Sequence, residues 1–240
     1  MHLLEGEPAA GPWRPASVGD VLDALGTGVV AVDGRSASGK STLAGLLHAE
    51  ARRRGLTSVV VHTDDLAWHH SFFDWADLLV EGVLAPLRRG VGVACTPPGW
   101  APHGRSGSVD VPAGTDLVLV EGVGAGRREA SAFLDALVWV QSDHALARVR
   151  GLERDVASGV NGDRAAAEAF WDEWERAEQP FLAGQRPWER ARLVVAGTPV
   201  IDLAPGQLAV SPGPGASSAP GRPGRTASPG PAAGPPTRRA

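Results

Sequence analysis

Short apolar runs alternate with longer segments of helical periodicity along this chain. The runs predict five strands, at 28–33, 57–62, 117–121, 136–140 and 191–196. The run 117–121 is almost wholly apolar, which is typical of a parallel strand buried on both faces. The segments between the runs predict helices at 18–25, 43–54, 74–89, 127–135, 143–157 and 162–178. Strands that alternate with helices predict a five-stranded parallel sheet covered on both faces, a three-layer α/β/α fold.

The two ends of the chain differ from this pattern. From residue 204 onward the sequence is dominated by Pro, Gly, Ser and Ala. Such a segment buries too little apolar surface to offset its chain entropy, so 204–240 is predicted to be a disordered tail. Residues 1–16 are predicted to be a flexible leader, and Ser17 is the expected N-cap of the first helix. The folded domain is therefore expected to span 17–203.

Charge and cysteine content narrow the class of protein. Four of the 23 Lys and Arg residues lie in the predicted tail, which leaves a body with 19 basic and 27 acidic residues. An acidic body argues against nucleic acid as a partner, because such binding normally needs a basic surface. The alternative for the four arginines is that the basic tail contacts a partner. Cys95 is the single cysteine, no signal peptide is recognisable, and no apolar run approaches the length of a membrane span. We expect a cytoplasmic protein without a membrane partner.

One segment carries a specific chemical signal. Residues 34–41, GRSASGKS, fit the phosphate-binding pattern G-x-x-x-x-G-K-[ST] between a predicted strand and a predicted helix. In this context Lys40 would reach the β- and γ-phosphates of a nucleotide, and the Ser41 hydroxyl would ligate Mg²⁺. The alternative is a Gly- and Ser-rich turn without a ligand. The predicted nucleotide-binding residues are Gly34, Arg35, Ser36, Ala37, Ser38, Gly39, Lys40, Ser41 and Thr42.

Acidic residues follow two of the predicted strands. Asp64 and Asp65 end the second strand, and Glu121, which has the position of a Walker B acid and is the expected Mg²⁺ ligand beside Ser41, ends the third. Ligands of parallel sheets bind beyond the carboxyl ends of the strands, where a carboxylate can hold Mg²⁺ or take a proton from an attacking hydroxyl. The alternatives are a helix cap for Asp64 or Asp65 and an ordinary loop-facing carboxylate for Glu121.

The order of these features resembles the uridine kinase group of P-loop kinases over roughly residues 28–200. The matches are Val32–Thr42, Asp64-Asp65-Leu66, Glu121-Gly122, Arg150 and Arg154-Asp155. The resemblance implies that Asp64 is the catalytic base and that Asp65 lies at the substrate. It also implies that Arg150 and Arg154 neutralise charge on the transferred phosphoryl group; the alternative is a solvated basic face paired with neighbouring acids.

The same resemblance points to a substrate hairpin before the third strand. Trp100, His103 and Arg105 match the pattern of that hairpin, whereas Pro98 and Gly99 replace its Tyr and Asp. The segment 157–162 also departs from the family, because it lacks the arginine expected in the lid; the alternative is that Arg164 takes its place. In related kinases the loop that corresponds to 197–199 holds adenine.

Aromatic residues allow two interpretations. Phe72, Phe73 and Trp75 could stack on a base or a sugar, but aromatics beside a helix start more often belong to the core, which we favour for two of the three. Aromatics farther along the chain are expected to be core contacts of the C-terminal helices; they are Trp171, Trp174, Phe181 and Trp188.

Together these features predict an ATP- and Mg²⁺-dependent kinase that phosphorylates a hydroxyl of a small molecule, with a nucleoside as the first expectation. A sugar, a pantothenate-like compound or an antibiotic-like compound is the alternative acceptor. An ATP-binding switch protein with little turnover is a candidate of a different class. It also fits the tail and the lid segment 157–162 without its expected arginine.

Overall fold

A computed structural model describes residues 1–218, with side chains described through residue 216. Its centre is a seven-stranded sheet with the spatial order β1-β9-β8-β7-β2-β6-β3, beside a two-stranded hairpin of β4 and β5. The strands are β1 (Arg14–Ser17), β2 (Gly28–Gly34), β3 (Ser58–His62), β4 (Val93–Cys95), β5 (Val109–Val111), β6 (Leu117–Glu121), β7 (Ala136–Gln141), β8 (Leu193–Ala196) and β9 (Gln207–Pro212).

Five neighbouring strands of the sheet are parallel, as the sequence predicts. They are β3, β6, β2, β7 and β8. The strand β2 lies at the middle, where Val30 is paired with Leu119 of β6 and with Ala136 of β7. The loop that follows β2 is therefore central in the molecule.

Helices cover both faces of the sheet. The helices are α1 (Val18–Leu25), α2 (Lys40–Arg53), α3 (Thr63–Ala67), α4 (Ala76–Leu79), α5 (Ala85–Arg88), α6 (His144–Ser158) and α7 (Arg164–Gln185). Val30 and Val32 of β2 pack with α1 and α2, whereas Val29 and Ala31 belong to the core on the opposite face. Successive side chains of a strand point to opposite faces, so one short apolar run contributes to two cores. Among the described residues no helix is long and apolar enough to span a bilayer.

Two predicted helices have a different local geometry. The segment predicted as one helix at 74–89 contains a π-helical stretch, Val80–Leu84, between α4 and α5. Pro86, which has no backbone N–H, is the second residue after this stretch. The segment predicted as a helix at 127–135 forms a 3-10 helix at Arg128–Phe133, the tighter form typical of short connections. Further 3-10 helices lie at Ala101–His103, Pro187–Arg190 and Pro214–Ser218.

The predicted flexible leader is part of the folded structure, so the expected boundary at residue 17 is wrong. Leu4 and Glu7 are buried, and residues 14–17 form β1. The Glu7 carboxylate accepts hydrogen bonds from Trp139 Nε1 at 2.6 Å and from Gln141 Nε2 at 2.8 Å. A buried indole N–H and a buried amide need acceptors, and the leader supplies them.

The predicted boundary between domain and tail is also wrong. Residues 207–212 form β9, which pairs antiparallel with β8 on one side and with β1 on the other. Ala209 and Val210 are buried in this strand. Because proline and glycine lie on both sides of this strand, the composition of the segment did not reveal it. The remainder of the predicted tail, 219–240, lies outside the described residues.

Candidate active site

The loop 34–41 connects β2 to α2 at the centre of the sheet. Ala37 and Gly39 have positive φ angles, of 55° and 105°, which place two left-handed residues within the loop. The Lys40 ammonium donates a hydrogen bond to the carbonyl oxygen of Arg35 at 2.8 Å, across the loop. A compact loop at the N-terminus of a long helix suits an anionic phosphate. The structure thus brings the nine predicted residues together, and phosphate binding stays a prediction.

Asp33, which sequence reasoning did not single out, holds the start of this loop in place. Its buried carboxylate accepts backbone hydrogen bonds from Gly34, Gly124 and Gly126 at 2.7–2.9 Å. Burial raises the pKa of Asp33, although the three amides and the charge of Lys40 oppose this shift. The residue therefore fixes the start of the loop to the glycine-rich segment after β6. An acid within an apolar strand is the sequence signal that could have revealed it.

Glu178 of α7 is a second residue that sequence reasoning missed. Its Oε1 accepts a hydrogen bond from the backbone N–H of Ser36 at 2.7 Å, and its Oε2 lies 3.6 Å from Nη2 of Arg35. Both side chains are buried. Arg35 thus contributes to the loop by pairing with α7. The sequence signal is an acid at position 178 of the apolar stripe that contains Trp171, Trp174 and Leu182.

Glu121, the last residue of β6, contacts both the end of β3 and the loop. One carboxylate oxygen accepts a hydrogen bond from Ser41 Oγ at 3.1 Å, and the other lies 2.7 Å from His62 Nδ1. Burial alone would raise the pKa of Glu121, but the His62 hydrogen bond and the charge of Lys40 outweigh it and lower the pKa. The same hydrogen bond to Glu121 raises the pKa of His62. The carboxylate is thus held in its charged form.

Ser41 and Glu121 are suitable donors for Mg²⁺. Both are oxygen ligands, they are in contact, and both line the same cavity. The part of the chain that the structure describes holds no cluster of three or more His, Cys, Asp or Glu side chains able to bind a metal. Mg²⁺ in nucleotide sites is held by one or two protein ligands and by phosphate oxygens, so this small donor set fits the ion.

The structure separates the two neighbouring acids at the end of β3. Asp64 lies in the first turn of α3 and lines the cavity together with Lys40. Although open to the cavity, Asp64 is surrounded by protein, and this burial raises its pKa; the nearby Glu121 adds to the shift and Lys40 opposes it. Asp65 instead accepts a hydrogen bond from Arg105 at 2.6 Å. Only Asp64 of this pair is placed to receive a proton within the cavity.

The predicted substrate residues form a cluster around Asp65. Trp100 Nε1 donates to the Asp65 carbonyl oxygen at 2.7 Å, and the Arg105 guanidinium lies 3.6 Å from the centre of the Trp100 ring. The exposed His103 stacks on His69 with ring centres 3.8 Å apart. None of these side chains lines the cavity at the loop. Their role in substrate binding stays a prediction.

The two predicted arginines of α6 both line the cavity. Arg150 donates to the carbonyl oxygen of Gly197 at 2.9 Å, which connects α6 to the loop after β8. Arg154 pairs with Asp155 at 2.8 Å, the neighbour that the alternative interpretation expects. Asp155 is buried and also accepts a hydrogen bond from Trp171 Nε1 at 2.9 Å. The arginines are therefore oriented by partners on α6 and in the loop after β8.

The cavity has a volume of about 540 Å³ and a mixed lining. Its polar lining includes the loop, Asp64, Glu121, Asp155 and the two arginines. Its large apolar side chains are Val123, Phe170, Trp171 and Trp174. Trp171 and Trp174, expected as core contacts, thus also face the cavity.

The aromatics after α3 divide as the sequence indicates. Trp75 is fully buried, and Phe73 stacks on Phe181 with ring centres 4.1 Å apart, so both belong to the core. Phe72 packs instead against Phe170 and Trp174, at 6.1 and 5.1 Å between ring centres.

A parallel sheet whose central strand runs through a Gly-x-x-x-x-Gly-Lys-Ser loop into a helix defines the P-loop class of α/β proteins. No family model matches the chain, and no curated protein matches it.

Among solved structures, the chain is similar to a protein described as a possible uridine kinase from Bacillus stearothermophilus, with 20% identity over 73% of this chain and 98% of that chain, at a TM-score of 0.43. It is also similar to a protein provisionally named a fructose transport system kinase, from Silicibacter sp. TM1040, with 22% identity over 78% of this chain and 97% of that chain, at a TM-score of 0.47. Sequence identities and TM-scores of this size do not establish a shared activity. The proposed function therefore rests on the residues of this chain.

Proposed function

We propose that this protein is an ATP-dependent kinase that transfers a phosphoryl group to a hydroxyl of a small molecule. One observation carries the proposal: Lys40 of the loop and the carboxylate of Asp64 line the same cavity. A phosphate-binding loop alone fits any nucleotide-binding protein. A carboxylate across the same cavity adds the group that an attacking hydroxyl needs.

The cavity residues divide the work of the transfer. The loop amides and Lys40 would hold the β- and γ-phosphates, and Arg150 and Arg154 would neutralise charge on the moving group. The acceptor oxygen forms a bond to the γ-phosphorus while the bond from that phosphorus to the β,γ-bridging oxygen breaks, and ADP leaves. Asp64 receives the hydroxyl proton. Its raised pKa makes it a stronger base than an ordinary aspartate once it is ionised.

Mg²⁺ would be held by Ser41 directly and by Glu121 directly or through water, and it would neutralise phosphate charge. The His62 hydrogen bond orients the Glu121 carboxylate for this role. The remaining steps depend on positioning by the loop, Asp64 and the arginines.

The test is ADP release with a panel of nucleosides and sugars. We expect at least one acceptor to raise ADP release above the intrinsic rate, and Asp64→Asn to abolish that increase. Asp77→Asn is the matched control, because Asp77 is an exposed acid in the first turn of α4, away from the cavity. If no acceptor stimulates ADP release, or if Asp64→Asn retains the stimulation, the kinase proposal is wrong.

An ATP-binding switch with little turnover is the second candidate. The segment between α6 and α7, at 159–163, contains no arginine, which favours this candidate. Tight ATP binding without acceptor-stimulated turnover would support it over the kinase.

A further inference from the structure

The helix α3, which carries Asp64, depends on its surroundings for stability. It has only five residues, and no side chain of the described residues caps its N-terminus. Helices of this length are unstable in isolation, so contacts with the rest of the protein must hold them. Thr63 and Leu66 supply part of this packing, because both side chains are buried.

The Asp64 carboxylate has no contact of its own that fixes its position. It lines the cavity, and within residues 1–216 it takes part in no hydrogen bond or ion pair. The position of this carboxylate therefore depends on the backbone of α3. In an enzyme, a displacement of about 1 Å in a reacting group can lower the rate about 100-fold. Whatever holds the backbone of α3 thus affects the proposed transfer.

Contacts at the neighbouring residue hold that backbone, and we call the three residues involved the α3 clamp: Asp65, Trp100 and Arg105. Nε1 of the buried Trp100 donates to the main-chain carbonyl oxygen of Asp65 at 2.7 Å, and Nη2 of Arg105 donates to the Asp65 carboxylate at 2.6 Å. The Arg105 guanidinium lies over the Trp100 ring, 3.6 Å from the ring centre. The connection between β4 and β5, at 96–108, is therefore bonded to the residue that follows Asp64.

The same connection approaches the chain after α3 at a second place. A Cβ atom at Gly99 would overlap the carbonyl oxygen of Trp68, so the two main chains come this close because position 99 is glycine. His103 stacks on His69 with ring centres 3.8 Å apart, and its Nδ1 lies 2.9 Å from the Gly99 carbonyl oxygen. Gly99 is one of the two hairpin positions at which this chain departs from the resemblance. The close approach is thus a property of this chain.

The α3 clamp lies outside the cavity. None of its three side chains belongs to the cavity lining, although all three were expected at the substrate. We propose that Trp100 and Arg105 are positioning residues of the proposed phosphoryl transfer. They act through Asp65 on the backbone of α3, and so fix Asp64 against the acceptor hydroxyl without touching the acceptor. The inference rests on the proposed kinase activity and adds to it the contacts that hold its base in place.

Hydrogen–deuterium exchange tests the hold on α3 without turnover. Arg105→Met removes the charge and keeps a long side chain, and Trp100→Phe keeps a ring and removes the indole donor. We expect the segment 63–70 to exchange about tenfold faster in each variant, because local opening becomes easier. Arg88→Met is the matched control, since Arg88 also pairs with an aspartate, Asp135, and its side chain is 29% exposed against 36% for Arg105. Unchanged exchange in both clamp variants would overturn the proposal.

Steady-state kinetics test the effect on the transfer, with the nucleoside or sugar that most stimulates ADP release. We expect Arg105→Met and Trp100→Phe to lower kcat about tenfold, with the acceptor KM changed less than about twofold. Arg105→Lys should retain more of the rate than Arg105→Met, because an ammonium can still pair with Asp65. Binding of the same acceptor beside a non-hydrolysable ATP analogue should also change less than about twofold.

Three results would contradict the proposal or separate it from the kinase proposal. A raised acceptor KM with kcat retained would mean that the clamp binds the acceptor directly, and a lowered Tm with kcat per folded molecule unchanged would mean that its role is only structural; either result overturns the proposal. If the parent protein is stimulated by no acceptor, the kinase proposal fails, and the exchange rates still decide whether the clamp holds α3. If the parent is stimulated and Arg105→Met retains its kcat, the kinase proposal stands and this inference fails.

Discussion

The buried pair between Arg35 and Glu178 gives the sharpest prediction about the loop. Glu178→Gln removes the negative charge but keeps an oxygen that can accept the Ser36 N–H. Arg35→Leu removes the positive charge and leaves the Ser36 hydrogen bond intact. The double variant removes both charges and retains the hydrogen bond. These changes therefore isolate the ion pair from the backbone contact.

The magnitude follows from burial. The side chains of Arg35 and Glu178 are 3% and 1% exposed, so either charge alone would be left in the interior without compensation. Breaking a buried pair on one side costs about 3–5 kcal/mol in the free energy of unfolding. For a protein of this size, that corresponds to a loss of roughly 10 °C in Tm. The double variant should recover at least half of this loss, because both charges are gone.

Urea and thermal unfolding of the four proteins measure the effect, and ATP-analogue binding reports the geometry of the loop. We expect each single variant to bind the analogue more weakly than the double variant does. Single variants within about 1 kcal/mol of the parent protein, or effects that simply add in the double variant, would refute the reasoning.

Other predictions concern the remaining parts of the site and the leader. Lys40→Met should lower acceptor-dependent ADP release about 100-fold or more in steady-state assays, because a preorganised cation is lost at the phosphates; a smaller loss would argue against that role. The raised pKa of Asp64 predicts that kcat/KM rises with pH through a value above 3.8, and a pH–rate profile of Asp64→Asn should lack this limb. Because ionised Asp64 is unfavourable in the folded state, Asp64→Asn should also raise Tm at pH 7, and the gain should vanish as the pH falls below the ordinary aspartate pKa. Glu7→Ala should cost about 1–3 kcal/mol in urea unfolding by leaving Trp139 and Gln141 without their acceptor, whereas a flexible leader would give no change.

The parts of the fold that the sequence predicts are those with local signals. The loop at 34–41 and the strand 117–121 are each recognisable within a few residues, since the loop needs fixed glycines and a lysine and the strand is apolar up to Glu121. The sequence predicts the helix α1 with its bounds from Ser17 as its N-cap, and in the structure Ser17 and Asp20 form a capping box there.

The missed features depend on distant partners. Nothing near Glu7 in the sequence distinguishes it from an ordinary surface acid, because its partner Trp139 lies 132 residues away. The strand β9 is stable because β8 and β1 pair with it on either side, and its own composition resembles the segment that follows. Glu178 reaches Ser36 across 142 residues. The local sequence around each of these residues does not reveal which distant residue it contacts.

The position of Glu178 on α7 has a thermodynamic consequence. Trp174, which lines the cavity, lies four residues before Glu178, so one turn of α7 contacts both the cavity and the loop 34–41. A shift of this turn on binding of one substrate would alter the contact offered to the other. Cooperativity between two sites is reciprocal. We therefore expect an acceptor to change the affinity for ATP by the same factor by which ATP changes the affinity for that acceptor, and the Glu178→Gln variant to bring this factor closer to one.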